Sequence, residues 1–197
     1  MTTRPAIIGS GNIGSALARL FARAGVEVSI ANTRGPESLP SFGDGVHAVP
    51  LEEALESDVL FLAIPFTAVE RFGKSRPDWT GKTVVDTTNA FYTPNADEIL
   101  QGRLSTHYVA EQLPGAEVVK AFNQLPSGTL AAEPAPGPGK RVVFLATDAP
   151  AAGDRIADLA VALGFAAVQL GRIDEGGRLI QAQNALVLRS FVELPLR

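Results

Sequence analysis

The sequence has no cysteine, which excludes disulfide bridges, thiolate metal sites and cysteine nucleophiles together. Histidine is also scarce, since His47 and His107 are the only two. We interpret both as structural or surface residues. No H-E-x-x-H or G-x-S-x-G motif is present, and no pair of carboxylates stands out as an acid–base site. We therefore predict neither a catalytic side chain nor a metal site.

Positive charge and long apolar runs are lacking as well. Seventeen basic residues against 21 acidic ones leave a net charge of −4, whereas nucleic-acid binding needs a basic face. The apolar run at 59–64 is far too short to span a bilayer, and the first residues do not form a signal peptide. We expect a cytoplasmic protein with no nucleic-acid or membrane partner.

What the sequence does contain is a regular alternation of strand and helix patterns. A short apolar run at 6–8 precedes a helix whose apolar residues recur every three or four positions and which stops at Gly25. A β-branched strand follows at 26–31, and such a β–α–β unit is typical of parallel sheets. Further strands are predicted at 46–49, 58–64, 82–88, 117–122, 141–147 and 165–170. The pattern predicts one α/β domain, 1–197, with a Rossmann-like, doubly wound, mostly parallel sheet.

Two later segments also carry predictions. The spacing in 105–113 predicts a helix capped by Ser105. The tail 172–197 is strongly apolar, and we predict that it forms a C-terminal helical extension. An apolar helix of this kind would dock on the sheet or on a second subunit, so we expect a homodimer.

The segment between the first strand and helix is a candidate nucleotide site. It reads Gly9-Ser10-Gly11-Asn12-Ile13-Gly14, a G-x-G-x-x-G placed where the dinucleotide fingerprint requires it. The first glycine permits a tight turn, the second lets a pyrophosphate approach, and the third lets the helix lie close to the strand. The free N–H groups of the helix N-terminus would face the phosphates.

The end of the second strand indicates which dinucleotide is bound. NAD-binding proteins usually have an acidic residue here for the ribose 2′-hydroxyl, but this chain has Asn32-Thr33-Arg34. An arginine with small polar neighbours can grip a 2′-phosphate through charge-assisted hydrogen bonds. NADP(H) is therefore favoured over NAD.

Other candidate residues follow later strands, at the edge where doubly wound sheets bind ligands. Pro65 ends the fourth strand and would form a rigid wall near the ribose and nicotinamide. Asn89 follows the fifth strand, and Lys120 and Asn123 belong to the end of the sixth. Whether Lys120 or Asn123 contacts substrate is left open.

These segments resemble a known family. The stretches "IIGSGNIGSALARLFARAGVEVSIANTRG", "VLFLAIPF", "VVDTTNAFY" and "LPGAEVVKAFNQLPSGTL" are similar to the NADPH-dependent reductases of the deazaflavin coenzyme F420 and to the NADPH-binding domain of the STEAP metalloreductases. The resemblance implies pyrophosphate contacts from residues 10–13 and 2′-phosphate contacts from residues 32–34. It further implies that Ala63, Ile64 and Pro65 line the ribose and that Asn89 and Ala90 lie near the nicotinamide.

The function expected from these observations is hydride transfer between NADP(H) and a flavin, a deazaflavin or a similar planar small-molecule acceptor, which would act as co-substrate. Such a step needs orientation and a dry pocket more than acid–base groups. Two alternatives stay open: a carbonyl or imine reductase of the β-hydroxyacid dehydrogenase type, with Lys120 as its candidate proton donor, and a non-catalytic NADPH sensor.

Overall fold

A computed structural model describes residues 4–91, 93–135 and 137–195. Within these ranges nine strands form one sheet. They are β1 (Ala6–Ile8), β2 (Val28–Ala31), β3 (Val46–Ala48), β4 (Val59–Leu62), β5 (Thr83–Asp86), β6 (Glu117–Ala121), β7 (Lys140–Thr147), β8 (Ala166–Gln169) and β9 (Val192–Glu193). The α-helices of the same ranges are α1 (Asn12–Ala24), α2 (Leu51–Ala54), α3 (Val69–Gly73), α4 (Ala96–Leu100), α5 (Ser105–Gln112), α6 (Ser127–Ala131) and α7 (Pro150–Ala162).

The sheet has the order β3-β2-β1-β4-β5-β6-β7-β8, with β9 paired to β7. Strands β1 to β6 are mutually parallel, β7 runs antiparallel to β6, and β8 is parallel to β7. The strand order reverses at β1, between β2 and β4, so a crevice opens at the carboxyl ends of these strands. The predicted Rossmann-like, doubly wound and mostly parallel sheet is confirmed.

Helices pack on both faces of this sheet because successive strand residues point to opposite sides. Ile7 belongs to one apolar core, together with residues of α1 and α7. Its neighbour Ile8 belongs to the other, with Val69 of α3 and Val109 of α5. The core strands are buried on both sides, which explains their nearly continuous apolar sequence.

The antiparallel step between β6 and β7 is fixed by the buried side chain of Gln124. Its Nε2 donates to the carbonyl of Val142 at 3.1 Å, and its Oε1 accepts from the N–H of Phe144 at 2.8 Å. The backbone carbonyl of Gln124 accepts from the N–H of Leu188 at 2.7 Å. One residue thus joins the end of β6 to β7 and to the tail.

The tail is not the long helix that its apolar content predicted. A 3₁₀ helix covers Gly176–Ile180, turns follow, and β9 pairs with β7, while residues 196–197 lie outside the described ranges. Two features of the backbone prevent an α-helix. Gln183 and Leu188 have φ angles of 67° and 59°, and the N–H of Leu188 donates to the carbonyl of Gln124.

The apolar residues of the tail are divided between core and surface. Ile180 and Val187 are buried, whereas Leu188 is 63% and Leu194 is 59% exposed. The predicted helical extension is therefore wrong as to its secondary structure, although the segment does dock on the sheet. None of the helices in the described ranges is long and apolar enough to cross a bilayer.

Candidate functional site

The glycine loop joins β1 to α1 through contacts that leave no room for side chains at two of its three glycines. Gly9 has a φ of 107°, and a Cβ there would lie 2.3 Å from the carbonyl oxygen of Ala63. A Cβ on Gly14 would lie 1.9 Å from the carbonyl oxygen of Gly9. These glycines permit the turn and the close approach of helix and strand, as the sequence predicted.

Gly11 is different because a Cβ there would meet nothing within 4 Å. It precedes α1, none of the described side chains caps this helix, and Asn12 is exposed. The first N–H groups of a helix lack partners within it. The open space beside Gly11 and these free donors fit a pyrophosphate, and Ser10, Asn12 and Ile13 surround them.

The end of β2 is held against this loop by Asn32. Its Nδ2 donates to the hydroxyl oxygens of Ser10 and Ser38, both at 3.0 Å, and its Oδ1 accepts from the N–H of Arg34 at 2.8 Å. Asn32 is only 8% exposed. The amide therefore positions Ser10 and Arg34, and a direct contact with a phosphate stays a prediction.

Arg34 and Thr33 are exposed at the surface of the same loop. The Arg34 Nη2 lies 3.4 Å from the hydroxyl oxygen of Ser10, which places the guanidinium beside the glycine loop. No carboxylate among the described residues pairs with it. This free cation beside the pyrophosphate region suits a 2′-phosphate.

The segment after β4 forms the wall next to the glycine loop. Ala63 donates its N–H to the carbonyl of Ile8 at 2.9 Å, and Ile64 Cγ2 lies 3.1 Å from the Cβ position of Gly9. Pro65 follows and is exposed. The three residues predicted to line the ribose thus adjoin the predicted pyrophosphate loop. We refer to residues 9–14 and 32–38 as the glycine-loop end of the site.

The other end consists of residues 86–90 and 120–123, called the Lys120 end below. Here Asn89 and Asn123 form a reciprocal pair: Asn89 Nδ2 donates to the Asn123 carbonyl at 2.8 Å, and Asn123 Nδ2 donates to Asn89 Oδ1 at 3.0 Å. Asn123 Nδ2 also donates to the carbonyl of Ile180 at 2.6 Å. Asn123 Oδ1 is buried without a partner in the described part of the chain. Ala90 follows Asn89 and is half-buried.

Lys120 itself is fully buried and cannot reach a ligand. Its Nζ lies 3.1 Å from Oδ2 of Asp86, which is also fully buried, and donates to the carbonyl of Thr88. Asp86 Oδ1 accepts from the N–H and hydroxyl of Thr88 at 2.9 and 2.7 Å. Burial lowers the pKa of Lys120 below its ordinary value, and the Asp86 carboxylate offsets part of this effect.

Gln181 of the tail completes this buried network, and the sequence did not indicate it. Its Oε1 accepts from the N–H and hydroxyl of Ser105 at 3.1 and 2.5 Å. Its Nε2 donates to the Thr106 hydroxyl at 3.2 Å, and that hydroxyl donates to Asp86 Oδ2 at 3.0 Å. Ser105 is thus the first residue of α5, bound to Gln181, and not the predicted cap, since the N-cap is Leu104.

Three other residues complete the comparison with the predicted site. Ser38, which clamps Asn32, was missed, although the Gly35-Pro36 turn beside it is a visible signal. The two histidines are on β3 and α5, and His47 Nε2 lies 3.9 Å from a carboxylate oxygen of Glu27.

Comparisons with known proteins show which proteins this chain is similar to. The family model described as "NADP oxidoreductase coenzyme F420-dependent" matches residues 4–90, which include the whole glycine-loop end. The crystal structure of a hypothetical protein, SMa0349 from Sinorhizobium meliloti, is 45% identical, with a TM-score of 0.91 over 97% of this chain and 96% of that one. Residues 4–90 thus match the family of F420-dependent NADP oxidoreductases.

Two more distant relatives are similar over most of this chain. The structure of a putative F420-dependent NADP-reductase from Arthrobacter sp. FB24 is 22% identical and has a TM-score of 0.68. The match covers 90% of this chain and 89% of that one, and it shows that the two share a fold. Metalloreductase STEAP3 from Rattus norvegicus is 29% identical over 169 residues, or 85% of this chain. The chain spans only 33% of the length of that relative.

Proposed function

We propose that this NADP oxidoreductase transfers hydride between NADP(H) and a flavin, a deazaflavin or a similar planar acceptor. When bound, NADPH supplies the hydride. The residues of the chain bind and orient it: the N–H groups after Gly11 receive the pyrophosphate, and Arg34 receives the 2′-phosphate. Residues 63–65 would line the ribose, and Asn89 and Ala90 would adjoin the nicotinamide.

The burial of Lys120 is the observation that carries the choice of acceptor. A carbonyl or imine becomes an alcohol or amine only if a proton joins the hydride, and an enzyme commonly supplies it from a positioned side chain. Lys120 was the one candidate donor in the sequence, but it has no exposed surface and is bonded to Asp86 and Thr88. A flavin-type acceptor takes the hydride on its conjugated ring system, and the proton that completes its reduction can come from solvent.

Stopped-flow oxidation of NADPH tests the proposal. The purified protein is loaded with NADPH and mixed separately with riboflavin, FMN, a quinone, a ketone and an imine, and the loss of nicotinamide absorbance is followed. We expect rapid oxidation by the flavins and little by the ketone or the imine. Preferred turnover of the ketone or imine would support the carbonyl or imine reductase, and bound NADPH that none of the compounds oxidises would support the sensor.

The His107→Ala variant sharpens this test because His107 is the half-buried titratable residue next to Thr106 on α5. If no side-chain acid is needed, flavin reduction should retain its rate within about tenfold. Removal of a general acid typically costs about 10²–10⁴-fold. A loss of that size would show that the protein supplies a proton and would contradict the proposed mechanism.

A further inference from the structure

The segment that follows β5 is anchored at each residue that precedes the expected nicotinamide contacts at Asn89 and Ala90. Thr87 donates its hydroxyl to the carbonyl of Leu62, which ends β4, at 2.9 Å. Thr88 is bound through three of its groups, the N–H, the hydroxyl and the carbonyl. Thr87 is 3% and Thr88 is 4% exposed. The groups that fix this buried segment therefore also determine where Asn89 and Ala90 lie.

The Asp86–Lys120 pair supplies all three partners of Thr88. Asp86 Oδ1 accepts from the N–H at 2.9 Å and from the hydroxyl at 2.7 Å, while Lys120 Nζ donates to the carbonyl. Asp86 Oδ2 accepts from Lys120 Nζ at 3.1 Å and from the Thr106 hydroxyl at 3.0 Å. The ion pair thus holds the two peptide groups on either side of the Thr88 α-carbon.

Lys120 sets the direction of the peptide group between Thr88 and Asn89. In a planar trans peptide the C=O and the following N–H point in opposite directions. The Thr88 carbonyl points to a lysine with no exposed surface, so the N–H of the half-buried Asn89 points away from that lysine. The N–H groups of Asn89 and Ala90 have no acceptor among the described residues. Two backbone donors thus remain for a ligand at this end of the site.

Stability alone does not account for a charged pair at this depth. Lys120 and Asp86 are both fully buried, and burial lowers the pKa of Lys120 because the cation has lost its water. Well-packed apolar residues of similar volume often make a protein as stable as a buried ion pair does, or more stable. Apolar residues, however, supply no donor for the Thr88 carbonyl and no acceptor for its N–H.

Backbone strain in the adjoining turn points to the same role. Phe122, two residues after Lys120, has a φ of 58° and is fully buried. This conformation is unfavourable for a bulky residue, and such strain is concentrated at functional sites. The turn brings Asn123 to Asn89, with which it forms the reciprocal pair. The carboxyl ends of β5 and β6 are thus connected twice, by the ion pair and by the two amides.

We propose that Lys120 is a positioning residue for hydride transfer: together with Asp86 it fixes the Thr88–Asn89 peptide and thereby the surface on which the nicotinamide lies. The inference rests on the proposed function, which places the nicotinamide beside Asn89 and Ala90. Lys120 touches neither cofactor nor acceptor and gives up no proton, so it acts only on the position of the reacting ring. A misplacement of about 1 Å is enough to slow a reaction by about a hundredfold.

The Asp86→Asn/Lys120→Met variant tests this role. It removes both charges and the donor to the Thr88 carbonyl, but it keeps an acceptor for the Thr88 N–H and most of the buried volume. Single-turnover oxidation of bound NADPH by riboflavin should slow by about ten- to a hundredfold. NADPH deuterated at both C4 positions should give a primary isotope effect on the slowed rate, because hydride transfer is the step affected. The Kd of 2′,5′-ADP, which occupies the glycine-loop end alone, should stay within about twofold.

The fluorescence of bound NADPH gives a readout that needs no acceptor. Reduced nicotinamide emits more strongly when a protein holds it still and apart from the adenine. The double variant should therefore lose most of the increase in emission that NADPH shows on binding to the original protein. A purely structural role of the ion pair would lower the Tm but leave the emission and the single-turnover rate of the folded protein unchanged.

The same two strands carry a matched control at their amino ends. Arg155 of α7 donates to Glu117 Oε2 of β6 at 2.7 Å and to the hydroxyl of Thr83 in β5 at 2.8 Å. The Glu117→Gln/Arg155→Met variant also removes one ion pair without changing the net charge, but at the edge of the sheet opposite the site. Its hydride-transfer rate and NADPH emission should equal those of the original protein.

Thr88→Val is a milder test of the same contact. It keeps the ion pair and the shape of the side chain but removes the hydroxyl bond to Asp86, which contributes about 0.5–1.5 kcal/mol. The rate should fall by about two- to tenfold. If the double variant fails to bind 2′,5′-ADP because it does not fold, Thr88→Val decides the question, and an unchanged rate and emission in this variant overturn the positioning role.

The outcomes separate the positioning role from the proposed function. If riboflavin oxidises NADPH, and a double variant that still binds 2′,5′-ADP matches the original protein in rate and emission, the positioning role is overturned and the proposed function stands. The same conclusion follows if the amino-end control slows hydride transfer equally. If no flavin oxidises NADPH on the original protein, the proposed function is overturned, and the emission of bound NADPH still decides the positioning role.

Discussion

The glycine-loop end and the Lys120 end of the site are built by different physical means. The glycine-loop end uses backbone geometry: two glycines allow close packing, and a third leaves open space. Arg34 stays exposed there, with no carboxylate partner in the described part of the chain. The Lys120 end uses buried side chains: Lys120 pairs with Asp86, and Gln181 of the tail is linked to Asp86 through the Thr106 hydroxyl. The first end is thus accessible to a cofactor, while the second gives rigidity to the strand ends that support it.

Removal of the buried cation should produce the largest effect on stability. Lys120→Met keeps most of the side-chain volume but leaves the Asp86 carboxylate buried without its partner. Breaking a buried pair in this way costs about 3–5 kcal/mol. Chemical denaturation should show this loss, and adding Asp86→Asn should recover part of it. A single variant as stable as the original protein would mean that the pair contributes little.

Two glycine substitutions should separate folding from binding at the other end. Gly14→Ala places a Cβ against the Gly9 carbonyl, so we expect a loss of about 3 kcal/mol or more. Gly11→Ala has free space, so its Tm should stay close to that of the original protein while NADPH binds at least about tenfold more weakly. Calorimetry and a cofactor titration measure the two effects. Unchanged NADPH binding in Gly11→Ala would argue against a pyrophosphate at this position.

Arg34→Ala should weaken NADPH binding by about ten- to a hundredfold, because a hydrogen bond to a charged group contributes about 1.5–3 kcal/mol. NADH has no 2′-phosphate, so its Kd should barely change. Both dissociation constants can be measured by titration calorimetry. Equal weakening of the two cofactors would show that Arg34 supports the loop and does not bind the phosphate.

Asn32→Ala is the comparison variant for Arg34. Because Asn32 holds both Ser10 and the Arg34 backbone, its loss should weaken NADPH and NADH alike, each by about tenfold or less. A loss confined to NADPH would instead favour a direct contact between Asn32 and the 2′-phosphate.

The smallest effect is expected at the surface of the tail, where we propose contact between two copies of the chain. The Leu188→Asn/Leu194→Ser variant removes exposed apolar side chains, and asparagine tolerates the positive φ at position 188. The free energy of unfolding of each chain should change by no more than about 0.5 kcal/mol. Light scattering at micromolar concentration should show dimers for the original protein and monomers for the variant. Monomers in both cases would contradict the homodimer.

The sequence predicted the parts of the molecule that depend on local rules. Strands β1 to β8, α1 with its stop at Gly25, and the tight turn at Gly9 follow from local periodicity and glycine placement. Strand β9 was not predicted. The roles of Asn32, which holds Ser10 and Arg34, and of Lys120, which pairs with Asp86, could not be predicted from such local patterns. Whether a polar side chain at a strand end faces a ligand or a buried partner depends on segments that are distant in the chain.

The tail shows the same limit most clearly. Its apolar residues matched a helix, yet its path follows partners elsewhere in the chain. Asn123 and Gln124 bind its backbone, Ser105 and Thr106 of α5 bind its Gln181 side chain, and β7 pairs with β9. No periodicity in the segment itself contains that information.

The contact between Gln181 and Thr106 spans 75 residues, and this separation has a consequence for biosynthesis. Chains are made from the N-terminus, so the parts of the glycine-loop end and its wall at Ala63 leave the ribosome early. Asp86, Thr106 and Lys120 also emerge well before the glutamine that completes their network. During synthesis the Lys120 end therefore passes through a stage in which polar groups destined for burial still lack a partner. Water must solvate them until the tail arrives.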